Sequence, residues 1–124
     1  MGMDRTVRFP SGAVPGWDAI RVQLDRLGLT ASLRMIDGLP AFPDEVPDPG
    51  WKELRVGVAG GMVTVRAGVA ALTCVVWGNA GDEVRARCDA VCWACAAAAA
   101  GVIETPAGPV APDEFARAAG IRPT

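Results

Sequence analysis

Between Glu53 and Val58 every second residue is apolar: Leu54, Val56 and Val58 alternate with Glu53, Arg55 and Gly57. A period of two is the mark of a strand that buries one face. Gly60-Gly61 then reads as a hairpin turn, and Val63 and Val65 resume the alternation beyond it. Pairing across that turn sets Ala59 opposite Met62, Gly57 opposite Thr64 and Arg55 opposite Arg66, leaving one face purely Leu and Val. A slip of one residue would send a whole apolar set to the wrong side. The pattern therefore predicts that Leu54, Val56, Val58, Val63 and Val65 face the core, and that Arg55 and Arg66 face away. A second turn near Ala67-Gly68 leads to a strand over 69–77, with Leu72, Cys74 and Val76 on the buried face and Thr73, Val75 and Trp77 on the other.

Elsewhere the period changes. Trp17, Ile20, Leu24 and Leu27 recur at helical spacing, with Pro15 suited to a first helical position, Asp18 to the positive N-terminal end and Gly28 to the stop. They predict a helix over 15–28. A second helix runs over 82–100 and ends at Gly101; a short terminal one runs over 112–119, from Pro112 to a stop at Gly120. Short strands are expected at 6–9, at 31–36 before the turn dipeptide Asp37-Gly38, and at 102–105. Residues 39–50 hold Pro40, Pro43, Pro47 and Pro49 with Asp44, Glu45 and Asp48 between them. They read as an extended connector unable to join a ladder, with Phe42 tucked back onto the domain. The functional alternative is a docking segment, since Pro40-Ala-Phe-Pro43 fits PxxP. The order β-α-β-β-β-β-α-β-α predicts one α+β domain spanning 1–124: an antiparallel four- to five-stranded sheet with two main helices largely on one face and a short C-terminal helix.

Composition narrows the function more by what is missing. The 124 residues include no His, no Tyr and one lysine, Lys52, with Ser11 and Ser32 the only serines. Ser-His-Asp and Cys-His pairs are impossible, as is an imidazole metal ligand. Acid–base chemistry would fall to carboxylates, thiols or Lys52, which argues against an enzyme. A net charge of −2 without a polybasic run argues against nucleic acid and anionic membranes as partners. Residues 1–10 carry Asp4, Arg5 and Arg8 and lack the apolar run of a leader. The uncharged stretches 67–81 and 90–103 are too short to span a bilayer as helices. The expectation is a cytoplasmic protein. The preference for Arg, Ala, Gly, Pro and Val suggests a high-GC bacterial genome.

Cys88-x3-Cys92-x2-Cys95 has the spacing of the cluster motif in radical S-adenosylmethionine enzymes. Inside an alanine-rich helix that spacing stacks the thiols along one face, where they cannot converge on one cluster. With Val84, Val91 and Ala99 on the same face, and Cys74 aimed at it from the sheet, the cysteines read as small core residues. Paired C-x2-C knuckles are absent, so neither a metal nor another cofactor is expected.

Two function classes remain. The first is a non-enzymatic module that binds another protein or itself. Trp93 lies roughly 140° around the helix from Cys88, given about 100° per residue. Its side of the helix, with Ala90, Ala94 and Ala97, therefore needs cover from a second layer or a second chain. A homodimer through that surface is expected, with Met62 and Trp77 on the outer sheet face as the other candidate contact. The element order alone is similar to that of bacterial secretion chaperones, which are dimers. The second class is a small enzyme or anion-binding protein using Arg34, Arg55 and Arg66 with Asp37, Glu53 or Cys74. Against it, Glu53 and nearby acids could simply hold the two hairpin arginines as a solvated pair.

Overall fold

The computed structural model describes residues 3–124; Met1 and Gly2, at the head of the segment read for a leader, lie outside the described residues. The chain runs β1 (Met3–Arg8), α1 (Trp17–Arg26), β2 (Ser32–Ile36), β3 (Leu39–Pro40), β4 (Glu53–Val58), β5 (Gly61–Gly68), β6 (Ala71–Val76), α2 (Asp82–Ala98), β7 (Val102–Thr105), β8 (Gly108–Val110) and α3 (Pro112–Ala119). All neighbouring strands pair antiparallel, in the order β3-β2-β4-β5-β6-β1-β7-β8. The fold is α+β with one antiparallel sheet, as expected, but the sheet has eight strands rather than four to five.

Part of the surplus lies at the two rims. Asp37 (φ 50°) and Gly38 (φ 83°) are both left-handed, as a two-residue type I′ turn requires, and they fold β3 back onto β2. The proline connector thus does join the ladder, through Leu39 and Pro40. Proline is tolerated there because an edge strand needs hydrogen bonds on one side only. Pro109 plays the same part in β8, between the strand expected at 102–105 and the terminal helix. The Asp37 carboxylate accepts hydrogen bonds from the backbone N–H groups of Glu53 and Lys52, both at 2.8 Å, and these hold its pKa below the usual value.

The hairpin faces agree with the alternation, although the register differs. Val58 pairs with Gly61, Arg55 with Thr64 and Glu53 with Arg66, so the turn is Ala59-Gly60, one residue earlier than read. Gly60, its second central residue, takes φ 89°. Sliding the pairing by two keeps every residue on its own face, and it sets Arg66 against Glu53 rather than against Arg55. Opposite charges across a strand pair stabilise, and like charges destabilise. The next turn moves the other way, two residues later than read: Gly68 pairs with Ala71, so Val69, 97% exposed, and Ala70 form the turn instead of a strand start. Leu54, Val56, Val63, Val65, Leu72, Cys74 and Val76 are all fully buried.

α2 lies across β1, β5, β6 and β7, with α1 and α3 packed against it. One core cluster runs from Val7 and Ile103 through the sheet centre to Ile20, Leu24 and Phe115. α1 is shorter than read at both ends, and α2 stops at Ala98. Past α2 it is Ala100 that turns left-handed, at φ 52°. Gly101 serves close approach instead: a Cβ there would sit 2.8 Å from Phe9 Cε1 and 3.0 Å from the Arg8 carbonyl oxygen.

The back of α2 corrects the expected interface. Trp93 is 2% exposed, Ala90 5% and Ala94 0%, and Ala97 is half-buried against the core. Cover comes from the same chain. The Arg26 guanidinium of α1 lies 5.6 Å from the Trp93 ring, and α3 packs alongside. The chain end is strapped down, with Thr124 N–H and Oγ1 donating to the Arg26 carbonyl and Arg26 Nε donating back to the Thr124 carbonyl. Phe42 is a second correction: it is 75% exposed rather than tucked in. Among the described residues, no helix is long and apolar enough to cross a membrane.

Candidate functional site

With the helices on one side, the sheet leaves its other face open, and the candidate arginines meet there. A bulge between Leu33 and Met35 makes Arg34 the extra residue of β2. Its side chain lies over Gly57 of β4; a Cβ at Gly57 would fall 2.5 Å from Arg34 Nε, so the absent side chain is what seats the guanidinium. Arg55 stands two residues back along β4 and opposite Met35. Its Nε is buried and has no hydrogen-bond partner in the protein. On β5, Arg66 donates to Glu53 at 3.3 Å, and its guanidinium lies 5.8 Å from the Trp77 ring. Thr64, between Arg55 and Val75 on neighbouring strands, is only 2% exposed beneath these long side chains. Trp77 itself is 53% exposed and Met62 43%.

The face thus brings together Arg34, Arg55, Arg66, Met62 and Trp77 and leaves out Cys74, which points to the helices. Arg66 pairs with Glu53, in line with the solvated-pair reading, whereas Arg55, the other arginine of that reading, keeps a buried Nε without a hydrogen-bond partner among the described residues.

Cys74, Cys88, Cys92 and Cys95 are free and buried. Hydrogen bonding with Cys92, then burial, pushes the Cys88 thiol far up; hydrogen bonding with Cys74, then burial, does so for Cys92. For Cys74, the bond with Cys92 lowers the pKa, but a bond with Cys95 and burial outweigh it and leave the thiol well above its usual range. Protonated buried thiols are poor nucleophiles. Among the described residues, no group of three His, Cys, Asp or Glu is placed to hold a metal ion.

Two clefts escaped the sequence reading. One, of about 510 Å³, lies between α3 and the β7–β8 hairpin, with Arg5, Asp89 and Phe115 in its lining. Arg5 Nε stands 3.2 Å from Asp89 Oδ1, and its guanidinium lies 5.2 Å from the Phe115 ring. Burial raises the Asp89 pKa against the opposing pull of Arg5. The other cleft, about 670 Å³, lies where the start of α1 meets the proline connector, with Trp17, Trp51, Pro47 and Lys52 in its walls. Neither leaves a local signal, because each joins residues distant in the chain. Comparison with known proteins finds nothing similar: no family model, curated protein or solved structure matches this chain.

Proposed function

We propose that this chain is a non-enzymatic binding module that docks a protein chain on the open face of its sheet. One observation carries the reading. The back of α2 is covered within the same chain, whereas the sheet face opposite the helices has no covering layer and carries half-exposed Trp77 and Met62 beside Arg34, Arg55 and the Glu53-paired Arg66. Aromatic residues, Met and Arg are the types enriched at the centres of protein interfaces. The sequence supports it from the other side, since a chain without His or Tyr, whose thiols are buried, is poorly equipped for catalysis. A second reading draws on Arg34 and Arg55, which lack acidic partners: the two would hold a small anion such as phosphate between them.

A photoreactive amino acid at position 62 tests the proposal in the cells that make the protein. It should form a covalent adduct with another polypeptide, while the same group at exposed position 22 on α1 should not. No adduct at position 62, together with phosphate binding that Arg55→Ala abolishes, would turn the case to the second reading.

A further inference from the structure

Resting on the reading of the open face as a docking surface, we infer that its occupant is the acidic connector of a second copy of this chain. Residues 39–48 form an arm with Leu39, Phe42 and Val46 exposed by 69%, 75% and 63%. Asp44, Glu45 and Asp48 lie on it, and no Lys or Arg occurs between Arg34 and Lys52. Exposed apolar side chains interleaved with carboxylates are the chemical complement of Met62 and Trp77 interleaved with guanidiniums.

The arm is shaped in advance. Glu45 N–H donates to the Phe42 carbonyl, and Glu45 Oε1 accepts from Phe42 N–H at 3.2 Å, a closed turn that presents the ring outward. Ala41 N–H donates to the Arg34 carbonyl and ties its root to the sheet. Further on, Val46 and Pro47 line a cleft together with Trp17 of α1, on the helix side. The arm therefore leaves from the rim of its own open face, and the partners of Arg5, Arg8 and Arg66 are Asp89, Glu104 and Glu53 rather than its own acids. Stacking two open faces about a two-fold axis that runs across the strands brings each β3 rim over the partner's β2–β4 side, where Arg34 and Arg55 stand, and such an isologous pairing closes on itself.

The test is a charge swap read by mass in solution. The wild-type chain should sediment as a dimer of twice 12.8 kDa. Its association should weaken tenfold or more as salt rises from about 0.1 M to about 1 M, where the Debye length shrinks from about 10 Å to about 3 Å. Asp44→Lys with Glu45→Lys should be monomeric, and so should Arg34→Glu with Arg55→Glu. Mixed in equal amounts, the two variants should recover a dimer, because each arm then meets a face of opposite charge. Arg34→Glu alone, at an exposed position, gives the same direction should the double change at Arg55 disturb folding. A wild-type monomer, variants that stay dimeric, or no recovery on mixing would each overturn the inference. If the adduct from position 62 carries a different protein while the chain stays monomeric, the second-copy inference falls and the docking face stands; with no adduct, both fall.

Discussion

Trp93 and Trp77 make a controlled comparison, since the same side chain is removed from two sides of one sheet. Trp93 is 2% exposed and Trp77 53%. A fully buried tryptophan hides about 200 Å² and Trp77 roughly half of that, so the difference is about 100 Å². At about 25 cal/mol per Å², that difference is worth roughly 2.5 kcal/mol. Removing Trp93 also leaves a cavity walled by α1, α2 and α3, while the space vacated by Trp77 opens to water. We expect Trp93→Ala to cost about 3–5 kcal/mol and Trp77→Ala about 1–2 kcal/mol. Against a total stability of about 5–15 kcal/mol, the first removes a large share of the fold and the second does not. Urea titration followed by far-UV circular dichroism measures both. With a slope of about 1–3 kcal/mol per molar, the midpoint should fall by roughly 2 M for Trp93→Ala and by less than about 1 M for Trp77→Ala. The titration should be run dilute and at high salt, so that association does not add to the apparent stability. Equal losses, or a loss below about 2 kcal/mol for Trp93→Ala, would mean that the back of α2 is not interior and would refute the assignment of faces.

Three other outcomes follow from particular contacts. Gly101→Ala should cost about 1–3 kcal/mol, because the new methyl meets the Arg8 carbonyl oxygen at 3.0 Å and that backbone cannot swing aside; Gly57→Ala displaces only the flexible Arg34 and should cost less than about 0.5 kcal/mol, as thermal unfolding would show. Asp89 has a folded-state pKa raised by burial, so the stability it contributes is fully present below its unfolded pKa and is lost as pH rises through the folded one. Asp89→Asn should therefore match or exceed wild-type stability at pH 7 and lose stability more steeply on acidification, since it lacks the term that Asp89 gains there; a clear loss at neutral pH would mean the Arg5 ion pair outweighs desolvation. The four thiols, all buried, should resist a thiol reagent near pH 8 until the chain unfolds, then react together; labelling of the native protein within minutes would show that α2 opens locally.

The parts of this fold that could be read from the chain are those set by neighbours in sequence. Alternation assigned the faces of β4, β5 and β6, and both turn positions could slip without changing a face because each shifted the pairing by an even number of residues, two at the first turn and four at the second. Pro112 and Gly120 bracketed α3 to the residue, one ending the preceding loop and the other supplying φ 73°. What could not be read was set at a distance. On a helix wheel Trp93 lies opposite the core face and lacks a partner, but the tail from Gly120 to Thr124 folds back onto Arg26, and no local pattern announces that return. Two-residue β3 and three-residue β8 are too short to alternate visibly, and both carry a proline that argues for a loop. For the candidate site, Arg55 and Arg66 were legible as outward-facing from the hairpin alone. Arg34 reaches them only because a bulge in β2 turns it over Gly57, and Arg5 finds Asp89 only through the packing of α2 across β1.

The same two prolines have a consequence for how copies of the chain can meet. An open sheet edge normally offers a row of unpaired N–H and C=O groups, a template on which another strand can crystallise and start a fibril. Here one rim ends in Leu39–Pro40 and the other in Gly108–Val110, each a stub with one amide hydrogen already replaced by a ring. Neither stub is long enough to register an incoming strand, so indefinite lateral growth of this eight-stranded sheet is blocked at both ends.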